Sequence, residues 1–113
     1  MNTDGLYHIS LMGGQARAIL IESTQMVQRA KDIHGLSRTA TAALGRTLTA
    51  TAMMGSMLEG RDESVSAQIK GGGPIGTITV VSDSAGNVRG TVTEPNVPLV
   101  EKFPGKLDVG ATV

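Results

Sequence analysis

The sequence predicts an α+β fold in which antiparallel β-strands form hairpins and two α-helices pack on the sheet. Apolar residues recur at helical spacing before Gly60 and alternate with polar residues from Ser64 onward. The 15 glycines and 4 prolines divide the chain into short elements. The length of 113 residues is typical of a single domain. This pattern leaves the order of the strands open.

Two β-prone runs, 6–12 and 15–22, lie on either side of a glycine pair at 13–14. Glycine reaches positive φ without a steric penalty, so the pair predicts a two-residue hairpin turn. A first helix is then expected over 24–34. Gly35 follows it, and a glycine in the left-handed conformation commonly ends a helix. The apolar stripe of this helix comprises Met26, Val27, Ala30 and Ile33.

A second, longer helix is predicted over 38–59, with Leu44 and Leu48 in the core. Apolar or small residues occur on all its faces, which indicates burial on more than one side. Gly45 and Gly55 each cost about 1 kcal/mol relative to alanine in a helix interior. Close approach of another helix or of the sheet is therefore expected at both glycines.

The second half of the chain is predicted to be mainly β-structure. Its expected strands lie at 64–70, 76–82 and 88–93, with a further strand beginning within 107–113. The turn-forming residues of 83–87 predict that the strands on either side of them form a hairpin. Three prolines and a glycine make 94–106 an irregular connection.

Gly71, Gly73 and Gly76 match the G-x-G-x-x-G pattern of dinucleotide-binding turns. That mechanism requires a helix whose N-terminal amides face a pyrophosphate, whereas the residues after Gly76 are β-prone. Pro74 also removes one backbone donor. We therefore interpret the segment as a corner between strands. A nucleotide-dependent enzyme would require a helix after Gly76.

The other potential chemical groups do not form a recognisable site. The only histidines are His8 and His34, and neither has carboxylates at the spacing of a metal site. The chain has no cysteine, which excludes disulfides and cysteine-ligated zinc. Neither enzymatic activity nor a cofactor is expected of these 113 residues.

Charge and hydropathy exclude several further partners. Lys plus Arg and Asp plus Glu number 10 each, and the scattered cations lack the aromatic neighbours that stack bases, so no nucleic-acid partner is expected. The apolar run 47–58 is too short and too polar to cross a membrane. Residues 1–10 lack the basic and apolar regions of a secretory signal, and a cytoplasmic location is expected.

Met53, Met54 and Met57, followed by Leu58, form the most ambiguous feature of the sequence. Methionine adapts its shape and suits promiscuous apolar recognition. It is also an ordinary filler of protein cores, and composition alone favours the core here.

Three segments carry a family resemblance. They are GLYHISLMGGQARAILIESTQMVQRAKDIHG at 5–35, TATAALGRTLTATAMMGSML at 39–58 and IKGGGPIGTITVVSDSAGNVRG at 69–90. Together they resemble the N-terminal domain of the heat-shock protein 33 family. The combination of A-L-G-R-T on a helix, G-G-G-P-I-G at a corner and G-N-V-R-G after a hairpin turn is specific. Thr91 departs from the family, which usually has an aromatic residue there.

The resemblance implies an ATP-independent holdase chaperone, which binds unfolding proteins and prevents their aggregation under oxidative and heat stress. Residues 1–113 would form part of its N-terminal domain. The family's C-terminal domain, in which four cysteines bind zinc and act as a redox switch, would be absent, so zinc is expected only in the full-length parent. Since the family holds clients through apolar surface, the client-contact candidates are Met53, Met54, Met57 and Leu58.

Self-association is also expected. A strand beginning within 107–113 would present an unpaired edge, and zero formal charge offers little repulsion between copies. These features predict a homo-oligomer such as a strand-swapped dimer, with 94–106 as its hinge. The alternative to client binding is a structural or oligomerisation module of the chaperone that binds no client by itself.

Overall fold

The computed structural model describes residues 4–113. Residues 1–3, which belong to the segment 1–10 that lacks the features of a secretory signal, lie outside this range. The strands are β1 (Gly5–Leu11), β2 (Ala16–Glu22), β3 (Ser64–Lys70), β4 (Thr77–Asp83), β5 (Val88–Val92), β6 (Glu101–Phe103) and β7 (Lys106–Leu107). The helices are α1 (Thr24–His34), α2 (Arg38–Gly55) and the single turn α3 (Val109–Thr112). Within the described range, all strand pairs are antiparallel, in the orders β1-β2, β3-β4-β5 and β6-β7. The α+β prediction is confirmed.

The first hairpin closes through a longer turn than the sequence predicted. Leu11 pairs with Ala16, so four residues connect the strands instead of two. Three of them, Met12, Gly13 and Gly14, have positive φ values of 52°, 64° and 92°. The glycine pair therefore accounts for only part of the reversal in chain direction. Met12 accounts for the rest, with a positive φ that non-glycine residues rarely adopt.

Helix α1 has the predicted bounds, and Gly35 ends it in the left-handed conformation at φ 63°. Its N-terminus is held by Asp4, the residue directly before β1. The Asp4 carboxylate accepts hydrogen bonds from the backbone amides of Gln25 (3.0 Å) and Met26 (2.7 Å). These are the amides that a helix leaves unsatisfied at its start, so the capping bond also ties the hairpin to the helix.

Helix α2 begins as predicted and ends earlier than predicted. The Ser37 hydroxyl accepts from the Ala40 amide at its start. At its end, the amides of Met57 and Leu58 donate to carbonyls three residues back, both at 3.1 Å. This tighter turn stops the helix at Gly55, whereas the sequence predicted residue 59.

Helix α2 is the centre of the molecule. Leu44 is fully buried and Leu48 is 2% exposed, which confirms both as core residues. An added Cβ at Gly45 would come within 2.8 Å of Val27 on α1, and one at Gly55 would overlap Ser82 on β4. Both predicted close approaches are therefore present, one to a helix and the other to the sheet.

The three-stranded sheet packs its inner face on α2. Along β4, Ile78, Val80 and Ser82 are buried, and they alternate with half-buried residues on the outer face. The predicted hairpin between β4 and β5 is confirmed. The Asp83 carboxylate shapes its turn by accepting from the backbone amides of Ala85 and Asn87, both at 2.9 Å.

The C-terminal prediction is wrong in two respects. The connection 94–106 contains most of a short hairpin, β6-β7, and after Leu107, where β7 ends, the chain forms the helical turn Val109–Thr112 instead of a strand. Asp108 caps this turn by accepting from the Ala111 amide at 3.1 Å. The alternating apolar residues of 107–113 are too few to favour a strand when Asp108 can cap a helical turn.

Replacing Leu48 with alanine should lower the free energy of unfolding by about 2–5 kcal/mol, because a fully buried leucine leaves a cavity. Leu99, which is 53% exposed, provides the matched control. Leu99→Ala should change the value by less than about 0.5 kcal/mol. Chemical denaturation followed by circular dichroism measures both, and equal effects of the two substitutions would contradict the packing described for α2.

Candidate functional site

The glycine corner is filled by the chain itself. Strand β4, not a helix, begins directly after Gly76, and the amides of Gly73 and Ile75 donate to the carbonyls of Val113 (2.9 Å) and Thr112 (3.1 Å). An added Cβ at Gly73 would lie 2.6 Å from the carbonyl carbon of Val113. The glycines therefore permit close backbone contact with α3, and the prediction of a strand-to-strand corner is confirmed.

The titratable side chains are dispersed. Within residues 4–113, no three histidine, aspartate or glutamate side chains are grouped closely enough to hold a metal ion. His8 lies on β1, where its Nε2 is 3.0 Å from the Ser56 hydroxyl, and His34 ends α1. The pKa of Asp83 is lowered, first because the Asn87 backbone amide donates to its carboxylate. The Asp83 carboxylate thus stabilises the turn between β4 and β5.

The methionine segment at the end of α2 lies largely at the surface. Met54 is 39% and Met57 is 51% exposed, whereas Met53 and Leu58 are half-buried. The interpretation that composition favoured, a set of core methionines, is therefore wrong for Met54 and Met57. The hairpin contacts this end of α2 through the His8–Ser56 bond.

A second apolar surface, on the β1-β2 hairpin, was not predicted. The cross-strand pairs Tyr7–Leu20, Ile9–Ala18 and Leu11–Ala16 share one face, and we call these six residues the hairpin face. Tyr7 is 60% and Leu20 is 57% exposed. The sequence does contain a signal for this face. Apolar residues alternate along both β1 and β2, and the register of the two strands places these residues side by side.

The opposite face of the hairpin is turned toward α2. There Leu6 and Ile21 line a cavity of about 400 Å³ together with Met26 and Ala52. One hairpin face thus packs inward, while the hairpin face with Tyr7 and Leu20 has no such cover among residues 4–113. Exposed apolar patches of this kind are typical of surfaces that bind other proteins.

The fold and these surfaces define an α+β chain with exposed apolar surface on the hairpin and at the end of α2. No helix in the described range is long and apolar enough to cross a membrane. The chain belongs to the Hsp33 family, since the family model described as Hsp33 protein matches residues 4–113.

Curated relatives agree with this assignment. The chain is 53% identical to the 33 kDa chaperonin of Alkaliphilus metalliredigens over 97 residues, covering 86% of this chain and 33% of that protein. It is 50% identical to the 33 kDa chaperonin of Ruminiclostridium cellulolyticum over 106 residues, covering 94% of this chain and 36% of that protein. The chain therefore spans about a third of the length of these relatives.

A solved structure shares the fold. The crystal structure of the 33 kDa chaperonin (heat shock protein 33 homolog) of Thermotoga maritima superimposes with a TM-score of 0.87 at 33% sequence identity. The match covers 96% of this chain and 37% of that one. The arrangement of helices and hairpins described above is thus also found in a chaperonin relative.

Proposed function

We propose that this chain is a client-binding part of an ATP-independent holdase chaperone, which holds unfolding proteins in the cytoplasm and prevents their aggregation under heat and oxidative stress. The observation that carries the proposal is the exposure of Met54 and Met57 at the end of α2. Membership of the Hsp33 family and the chaperonin names of the relatives support it.

Physical chemistry supports these methionines as client contacts, together with their half-buried neighbours Met53 and Leu58. A methionine side chain is flexible and polarizable, so it can follow the varied apolar side chains of unfolded clients. Burying such a side chain contributes about 1.5–3 kcal/mol when it is covered completely. Independence from ATP is consistent with the glycine corner, because Thr112 and Val113 occupy the space beside it.

The alternative is a structural or oligomerisation module that binds no client by itself. The hairpin face favours this function, because an uncovered apolar sheet face suits a fixed partner as well as a changing one. The two functions differ in their effect on an unfolding protein. Only client binding suppresses aggregation.

The chain should suppress the light scattering of a thermally unfolding client protein. Met54→Gln combined with Met57→Gln should weaken this protection about tenfold, because two half-exposed methionines together contribute about 1.4 kcal/mol. Leu99→Gln changes a residue of similar exposure, 53%, and should leave protection unchanged. Equal protection by all three proteins would remove the methionines from the proposal, and no protection by the unmodified chain would favour the alternative.

Protection by this chain should not be switched on by oxidants. The chain has no cysteine to form a disulfide, whereas peroxide converts exposed methionine into a polar sulfoxide that thiol reductants do not reverse. We expect peroxide to lower protection and dithiothreitol to leave it unchanged. Activation by peroxide followed by reversal with dithiothreitol would contradict this. In the full-length parent, we propose that a zinc-binding cysteine segment supplies the redox response.

We also propose that the chain forms a homo-oligomer. The predicted strand at 107–113 no longer supports this, and the exposed hairpin face now does. Light scattering coupled to size exclusion at roughly 10–100 μM should show a mass above that of the monomer, rising with concentration. Leu20→Glu should shift the protein toward the monomer mass of 11.7 kDa. A monomer at all concentrations would end the proposal.

A further inference from the structure

A groove of about 340 Å³ runs between α1 and β5. Its apolar lining includes Met26, Ala30 and Ile33 from α1 and Val88 from β5. Ile33 is 64% exposed although the sequence placed it in the apolar stripe of α1. The stripe is therefore only partly covered by the rest of the described chain, and Ile33 faces an open groove.

One wall of the groove is the free edge of a sheet. Strand β5 pairs only with β4 among the described residues. The hydrogen bonds from the Asp83 amide to the Asn87 carbonyl and from the Thr93 amide to the Thr77 carbonyl fix which β5 residues face β4. Because the direction of these bonds alternates along an antiparallel strand, the backbone groups of Val88 and Gly90 point away from β4. Both residues line the groove.

The charged residues that line the groove are basic. They are Arg29 on α1 and Arg89 on β5; His34 also lines the groove, and no carboxylate is among the lining residues. Asp32, the acidic residue of α1, accepts a hydrogen bond of 3.0 Å from the Gln28 side chain.

We propose that this groove binds an extended segment of a client protein, which pairs with β5 as a fourth strand. Side chains of an added strand alternate between the two faces of the sheet. Those beside Val88 and Gly90 meet the apolar side chains of α1, and those beside Arg89 meet a cation. The groove therefore selects segments in which aliphatic and acidic residues alternate. This inference rests on the proposed client-binding function and names the class of segment recognised.

A second copy of the chain fits this edge less well. Antiparallel pairing of two β5 strands centred on Gly90 would place the two Arg89 side chains diagonally on the same face of the sheet. Like charges that are neighbours across strands repel. An acidic client segment at the same edge is instead attracted to Arg89. Charge complementarity therefore favours a client segment over a second copy of the chain as the occupant of the groove.

Fluorescence anisotropy with short labelled peptides tests the inference on the 113-residue chain. The first probe alternates glutamate with valine, and its matched control alternates lysine with valine. The glutamate peptide should bind about tenfold more tightly, since the arginines beside the groove attract its carboxylates and repel the lysines of the control at a partly covered site. Equal binding of the two peptides would overturn the proposal.

Charge reversal supplies the protein variants. Arg29→Glu combined with Arg89→Glu should reverse the preference in favour of the lysine peptide. Arg17→Glu combined with Arg61→Glu changes two exposed arginines that do not line the groove and should leave the preference intact. An unchanged preference in the first variant would place the acidic peptide elsewhere on the surface and overturn the proposal.

N-methylation of the glutamate peptide tests strand pairing without altering the protein. Methyl groups on alternate amides block one edge of an extended peptide and leave the other free to pair. A peptide methylated along one edge should still bind through its free edge, whereas one methylated along both edges should not. Undiminished binding of the doubly methylated peptide would exclude pairing with β5.

Photocrosslinking from position 33 tests which molecule occupies the groove. A crosslinker placed there should capture the peptide. Capture of β5 from a second copy of the chain instead would overturn the choice of occupant.

The results separate this inference from the proposed function. Peptide binding with the expected preference, but without any client protection, would reject the holdase proposal and leave the groove as a peptide site. Client protection without any preference between the two peptides would reject the groove and leave the holdase proposal standing.

Discussion

The structure depends on the close packing of one helix between other elements. Helix α2 has α1 against Gly45 and the sheet against Gly55, and neither contact has room for a Cβ atom. This packing buries the hydroxyls of Thr39 and Ser82 without hydrogen-bond partners among the described residues, at about 1–3 kcal/mol each. The burial of Leu44, Leu48 and the β4 side chains, each contributing about 1.5–3 kcal/mol, outweighs that cost.

This central packing is also the part that the sequence could predict. A helix with apolar or small residues all round has to be buried on several sides, and glycines within it indicate contact with a neighbouring backbone or side chain. The strands on either side of Asp83–Asn87 were equally predictable, because alternation and turn residues indicate the same hairpin. Each prediction depended on local signals that agreed with one another.

The sequence was less informative where a few atoms decide between alternatives. At 107–113 the capping bond from Asp108 selects a helical turn over a strand. At α1 the cap comes from Asp4, which is distant in sequence and therefore invisible to a local pattern. Met57 lies beyond the tight turn that ends α2 at Gly55, whereas the sequence predicted a helix through residue 59. Part of the candidate client surface thus depends on where one helix stops.

The same geometry explains why apolar surface remains exposed. A two-stranded hairpin has two faces, and α2 can cover only one of them, so the face with Tyr7 and Leu20 has no partner among residues 4–113. The radius of gyration of 15.3 Å exceeds the value of about 13 Å for a compact chain of this length. The hairpin therefore adds surface more than it adds core. The exposed hairpin face is thus a direct consequence of how a two-stranded hairpin packs on one helix, and it is the surface through which we propose that two copies associate.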